Sequence, residues 1–341
     1  MTNTYRAMQV SAPGILELVA RPIPLPGNGE VLISVQACGV CGADASDIER
    51  ADPADLRVPG HEVVGTILAT GPNVPGIWTT GQRVGVGRLA GHCNECDQCR
   101  QGRFQLCRNQ RSVGSSVDGG YAEMMIARAT GLVSIPDELG NEEAAPILCA
   151  GLATFNALKR CGAHAGDTVA IVGIGGLGHI AIQYARKMGF RVVAIGRGTA
   201  KADDAIALGA HLHFDSENGA ADRLREMGGA AAIVSTIGNS ETVASLLPGL
   251  ALHGRLVLLG VGKDPLAVSM GQVVGGERSV LGSLTGTPFD NEKTLDFSVL
   301  SGVRPMFETM PFEQAADAYA RLKKGDVRYR LVLTMTKNSM E

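Results

Sequence analysis

The chain has 341 residues, 45% of them hydrophobic and 19% charged, with a formal net charge of −3. That length suits two domains, each able to bury a core of its own. The slight negative balance excludes a nucleic-acid footprint, and no apolar run is long enough to span a bilayer.

The opening Met1-Thr2-Asn3-Thr4-Tyr5-Arg6 lacks the apolar stretch of a secretory leader. A cytoplasmic protein is therefore expected, in which the eight cysteines stay reduced and serve as ligands rather than as disulfides. Ala7 to Ala37 reads as short strands separated by turns. Pro22, Pro24, Pro26, Gly27 and Gly29 break the chain before the β-branched run Glu30–Val35. Val63–Ile67 and Arg83–Val86 read as further strands, so the first part of the chain is expected to be mostly β, with irregular loops carrying cysteines.

Within it, Cys38-Gly39-Val40-Cys41-Gly42-Ala43-Asp44 and Pro59-Gly60-His61-Glu62 offer a thiol and an imidazole, both ligand types that zinc accepts. Cys149 arrives much later, just ahead of a glycine-rich turn. A Cys/His/Cys set with one position left open is one way to build a catalytic zinc site. Cys93, Cys96, Cys99 and Cys107 follow the spacing C-x2-C-x2-C-x7-C. Four thiolates in one short loop can close a tetrahedral shell around a structural zinc. An iron–sulfur cluster needs a similar group, though Arg108 stands where a proline usually follows the last cysteine. Disulfides are the third possibility, against which the reducing compartment argues.

Asp118-Gly119-Gly120-Tyr121-Ala122-Glu123 reads as a turn leading into a strand. Leu139 to Cys161 reads as one helix, capped by Asn141 with Glu142 and Glu143 in its first turn. From Gly166 the pattern changes to alternating strands and helices. A strand at Asp167–Val172 runs into Gly173-Ile174-Gly175-Gly176-Leu177-Gly178, then an amphipathic helix from His179 to Met188, then a strand at Arg191–Ile195. Strand, G-x-G-x-x-G, helix and strand in that order predict a doubly wound α/β dinucleotide-binding domain. The glycines let the backbone approach a pyrophosphate at the positive end of the helix. A tight turn in an unrelated doubly wound sheet would share those glycines. Further strands are expected at Ala231–Val234 and Leu256–Gly260.

An NAD site places a carboxylate after the second strand, on the ribose hydroxyls. Here the position is Gly196, followed by Arg197 and, after three residues, Lys201. Nothing there repels a 2′-phosphate, and Arg197 can bind one through charge-assisted hydrogen bonds, with Lys201 as a point charge. NADP(H) is therefore favoured over NAD(H), against the alternative of a solvated basic loop. The tail offers helices near Asp290–Leu300 and Phe312–Lys323 and a closing strand at Arg330–Leu333.

Taken together and in this order, these motifs make the chain resemble a zinc-dependent medium-chain alcohol dehydrogenase over essentially its whole length. The resemblance implies a GroES-like, mostly β catalytic domain, residues 1–153 and 288–341, around a Rossmann domain, residues 154–287. It also implies two zinc ions per chain. Cys41, His61 and Cys149 would hold the catalytic one, Asp44 would orient the His61 ring, and Glu62 would lie beside the metal. Cys93, Cys96, Cys99 and Cys107 would hold the structural one. Thr154 would lie by the nicotinamide and Arg330 near the pyrophosphate. Gly173, Gly175, Gly176, Leu177 and Gly178 would form the cofactor turn. A small-molecule alcohol or aldehyde as substrate and a homo-tetramer or homo-dimer complete the implication.

Two departures stand out. The family usually starts its proton relay with a hydroxyl two residues after the first zinc ligand, where this chain has Ala43. Ser46 stands where many relatives carry a relay histidine. Arg88 replaces an aromatic that often walls the substrate pocket, and it either faces a polar substrate or points to solvent. Cys38 and Cys161 are left over for packing, with redox sensing as the other option. The leading function is alcohol oxidation or aldehyde reduction. Ala43 prompts a second, reduction of an activated C=C or C=N bond, and a non-catalytic nucleotide-binding protein is the third.

Overall fold

The computed structural model describes residues 4–49 and 56–335; Met1–Asn3, at which a leader would begin, lie outside them. The chain forms two compact units, Met1–Cys149 with Gly286–Glu341, and Ala150–Thr285. The boundaries expected from sequence lay at 153/154 and 287/288.

In the first unit, β1 (Thr4–Ala12) and β2 (Ile15–Pro22) form an antiparallel hairpin. The main sheet is built from β3 (Glu30–Val40), β4 (Val63–Thr70), β5 (Arg83–Val86), β6 (Met124–Arg128) and β7 (Leu132–Ser134). The second unit is a six-stranded parallel sheet of β8 (Thr168–Val172), β9 (Arg191–Gly196), β10 (Leu212–Asp215), β11 (Ala230–Ser235), β12 (Leu250–Leu258) and β13 (Ser279–Gly282). Its order is β10-β9-β8-β11-β12-β13, the doubly wound arrangement whose switch point lies beside the first strand. The chain then returns to the first unit with β14 (Phe307–Pro311) and β15 (Arg330–Thr334), completing the order β14-β15-β3-β4-β5-β7. One half of β3 pairs with β15 and the other with β6. The fold is thus GroES-like plus Rossmann, as the motifs implied.

Each unit has its own core. Ile33, Val35, Val63, Ile67, Phe312 and Leu331 belong to that of the first. Ala170, Val193, Ile195, Ile233 and Leu256 belong to that of the second. The strands β8, β9 and β11 are apolar almost throughout because a parallel sheet is covered on both faces.

The single helix expected over 139–161 is instead three pieces. An α-helix covers Asn141–Pro146, a π turn covers Ile147–Gly151, and a second α-helix covers Leu152–Arg160. Pro146 has no N–H to continue the i→i−4 ladder, and a π turn is one way for a helix to pass such a gap. Asn141 is not the cap either: Gly140 holds that position, its N–H donating to Glu143 Oε2 at 3.0 Å. Asn141 Nδ2 donates to Gln36 instead. Among the described residues, no helix is long and apolar enough to cross a membrane.

Candidate active site

Three strand ends meet in the first unit. β3 hands the chain on to Cys41, β4 begins immediately after His61 and Glu62, and β15 begins at Arg330. The register sets Leu331 opposite Val40 and Val63 opposite Cys38, so the three ends arrive side by side. The π turn adds Cys149, whose Sγ lies 4.0 Å from Cys41 Sγ. One ligand atom each from Cys41, His61, Glu62 and Cys149 fall within 4.8 Å of one another.

His61 is fixed in orientation by a buried carboxylate. Its Nδ1 is 2.7 Å from Asp44 Oδ1, and Asp44 Oδ2 accepts from Tyr121 Oη at 2.8 Å and from Cys41 N at 2.9 Å. With Nδ1–H donating to Asp44, Nε2 is the ring nitrogen left for a metal; it is buried and has no hydrogen-bond partner. Burial pushes the imidazole toward neutrality, but the Asp44 charge and hydrogen bond outweigh it and hold its pKa well above the ordinary range. The Cys41 thiol is held well below its usual range by a hydrogen bond from Cys149, against burial and with help from His61 and Arg330.

Glu62 is fully buried, and one carboxylate oxygen pairs with the Arg330 guanidinium, itself 3% exposed. Burial pushes Glu62 up to about 7 against the pull of Arg330. Its other oxygen, Oε2, has no partner. A Cβ on Gly39 would stand 1.9 Å from that oxygen, so only glycine leaves room for the carboxylate. Arg330, expected at a pyrophosphate, is thus anchored on Glu62.

Arg88 does not point out to solvent. Its guanidinium grips both oxygens of Asp47, whose side chain is 2% exposed, donates to Val113 O at 3.3 Å, and stands 3.4 Å from His61 Nδ1, at the edge of the cluster. Ser46 Oγ is exposed and donates to Ala43 O at 2.8 Å, within its own short helix. Asp47, Tyr121 and Gly39 are site residues that sequence reasoning passed over. In sequence Tyr121 belongs to a turn-and-strand motif with no role of its own, and its separation from Asp44 by 77 positions leaves no local signal.

Cys93, Cys96, Cys99 and Cys107 are free thiols gathered in one loop. The Cys93–Cys99, Cys96–Cys99, Cys96–Cys107 and Cys93–Cys107 sulfurs stand 4.0, 3.5, 3.9 and 3.6 Å apart. Two thiolates on one tetrahedral zinc stand about 3.8 Å apart, so a single ion fits this cage, and the same holds for the Cys41–Cys149 pair.

In the second unit, the glycine turn joins β8 to a helix at Gly178–Lys187. Gly173 has φ +94°, and a Cβ on Gly178 would meet Gly173 O at 1.8 Å, so both glycines shape the turn. A Cβ on Gly175 would meet nothing within 4 Å, and there the backbone is open to a ligand. Beside the turn, a cavity of about 370 Å3 is lined by Gly173, Gly196, Arg197, Ser216, Glu217 and Thr242, among others. Lys201 Nζ donates to Ile174 O of the turn at 2.9 Å. Thr154 is fully buried, its hydroxyl donating to Ala150 O and Gly151 O at 2.7 and 3.0 Å.

Two family models match the chain: the alcohol dehydrogenase GroES-like domain over residues 27–137 and zinc-binding dehydrogenase over residues 176–299. The chain is 40% identical over 316 residues to alcohol dehydrogenase notN of Aspergillus sp. (strain MF297-2), covering 92% of this chain and 93% of that one. It is also 40% identical over 315 residues to an alcohol dehydrogenase of Geobacillus stearothermophilus, covering 91% and 93%. Among solved structures it is similar to acetophenone reductase from Geotrichum candidum NBRC 4597 in complex with NAD, with a TM-score of 0.87 at 28% identity and 99% of each chain covered.

Proposed function

The chain belongs to the zinc-containing medium-chain alcohol dehydrogenase family and is an oxidoreductase; from that premise we propose that it moves a hydride between NADP(H) and an alcohol or its carbonyl, with a catalytic zinc on Cys41, His61 and Cys149. The observation that carries the metal part is the buried, unpartnered His61 Nε2 in one cluster with two sulfurs at zinc-ligand spacing. Bound there, zinc supplies Lewis acidity to a substrate oxygen, and the nicotinamide carries the hydride.

The chain's own residues set the conditions. Asp44, held by Tyr121 and Cys41 N, fixes the tautomer and orientation of His61. Arg330 offsets the charge of Glu62 beneath the cluster, which limits the negative charge that two thiolates and a carboxylate would otherwise concentrate there. The exposed Ala43 methyl cannot carry a proton, and the exposed Ser46 hydroxyl donates to Ala43 O with no hydrogen bond to the cluster among the described residues, so the proton is exchanged with water.

The cofactor preference rests on Gly196 and Arg197. Arg197 is exposed, lines the cavity at the end of β9 and has no ion-pair partner among the described residues. It is therefore available to a 2′-phosphate, which a carboxylate at position 196 would repel.

The test compares NADPH with NADH oxidation by the zinc-loaded protein over a panel of aldehydes and ketones. NADPH should give the higher kcat/KM; preference for NADH would overturn the cofactor assignment and leave the metal site standing. In parallel, Cys41→Ser should lose the catalytic zinc and the activity while keeping its circular dichroism spectrum. A Cys41→Ser protein with full activity would sink the site.

A further inference from the structure

The first unit contains a second cavity, of about 470 Å3, that the reaction does not use. It lies between the β1–β2 hairpin, β6 and the loop at 111–118. Its size falls within the range of about 300–1,000 Å3 typical of small-molecule sites. Val86, Val113, Val117 and Met125 provide an apolar wall, and four arginines share the lining with only two carboxylates.

The carboxylates are spoken for. Asp118 accepts from Arg21 at 2.9 Å and from Val58 N at 3.1 Å, with Arg57 at 4.0 Å. Glu30 turns back to accept from Gly27 N at 3.0 Å, although it stands opposite Arg128 in the β3–β6 register. Arg111 and Arg128 have no hydrogen bond or ion pair from their guanidinium groups among the described residues. Both flank the segment Ala90–Gly91: Ala90 N donates to Arg111 O at 2.9 Å, and a Cβ on Gly91 would come 3.1 Å from Arg128 Cβ.

Two unpaired guanidinium groups beside an apolar wall suit a ligand that is anionic at one end and apolar at the other. We propose that this cavity is a second binding site, for a small organic anion whose carboxylate or phosphate is held by Arg111 and Arg128 and whose body lies on Val86, Val113, Val117 and Met125. The site is not isolated from the catalytic cluster. Val113 N donates to Arg88 O at 2.9 Å, and the Arg88 guanidinium that grips Asp47 donates back to Val113 O. An occupant therefore leans on the backbone that holds the Arg88–Asp47 pair.

Isothermal titration of the zinc-loaded full-length protein with octanoate and with phenyl phosphate tests this, with octanamide as the neutral control. At least one anion should bind, more weakly as salt is raised, and octanamide should not. The variant Arg111→Gln/Arg128→Gln should bind about tenfold less tightly or worse, the loss expected for charge-assisted hydrogen bonds. Cys41→Ser should bind the anion as the parent does. Circular dichroism of both variants confirms the fold, and Arg111→Gln alone, an exposed substitution, repeats the test if the double variant is unstable. Binding of neither anion, equal binding of octanamide, or unchanged affinity in the arginine variants would overturn the site. Loss of binding in Cys41→Ser would place the ligand at the catalytic cluster instead.

Discussion

Arg88 shows how much a single side chain can hide from sequence reasoning. Its position invited a choice between a substrate-facing charge and a solvated one, and its actual partner, Asp47, lies 41 positions earlier on a helix of five residues. The Asp47 side chain is 2% exposed, so removing Arg88 strands a buried carboxylate. Arg88→Met should destabilise the first unit by about 3 kcal/mol, measured as a shift in the urea midpoint. Adding Asp47→Asn should recover most of that loss, because the cycle then removes both charges together. If Arg88→Met is neutral, the pair carries no stabilising role. Arg88→Trp, expected from the resemblance to shift preference toward apolar aldehydes, therefore mixes a stability cost with any change in preference. By contrast, Cys41, His61 and Cys149 offer ligand chemistry that the sequence shows, the family resemblance adds Glu62, and the structure brings all four together. Gly39 could not, because its reason is the Glu62 oxygen that occupies the space of its missing Cβ.

Among the elements, legibility followed how local the signal was. The strand, glycine turn and helix from β8 to Lys187 are specified by contiguous residues, and the helix begins one residue earlier than expected. The segment bearing Cys149 was misread because helical periodicity around it is good on both sides, while one residue, Pro146, breaks the ladder. A proline within an expected helix is the signal that should have marked the π turn. The cysteine lobe is the opposite case: it has little regular structure, a four-residue helix at Asp97–Arg100 and a short turn at Phe104–Leu106, yet its spacing could be read at sight. With so little apolar material of its own, the lobe depends on what its four sulfurs bind. Cys96→Ser should release one zinc per chain and lower the melting temperature by about 5 °C or more, at roughly 2–4 °C for each kcal/mol lost. Unchanged zinc content and melting temperature would argue against a structural metal there. The catalytic cluster uses none of the lobe's side chains, so residual turnover at low temperature should survive the substitution.

For the molecule as a whole, the two units differ in how the sequence encodes them. The first is closed by β15, which pairs with β3 across nearly three hundred residues, and nothing local in Arg330–Thr334 identifies that partner. The second is continuous in sequence, from Ala150 to Thr285, with a complete six-stranded sheet and its own core. Continuity and a separate core are the conditions for folding alone. Expressed by itself, the segment 150–285 should therefore unfold cooperatively and bind adenosine 2′,5′-bisphosphate more tightly than 5′-AMP. Gly196→Asp in that segment should reverse the order, weakening the bisphosphate about tenfold by placing a carboxylate where the 2′-phosphate is expected. The new Cβ would stand 3.0 Å from Ile174 Cδ1 and 3.3 Å from His213 Nε2, both ends of side chains that must give by a few tenths of an ångström. A segment that folds but binds both nucleotides equally would remove Arg197 from cofactor selection. One that fails to fold would show that the Rossmann unit needs the rest of the chain, despite a core and a sheet that are complete without it.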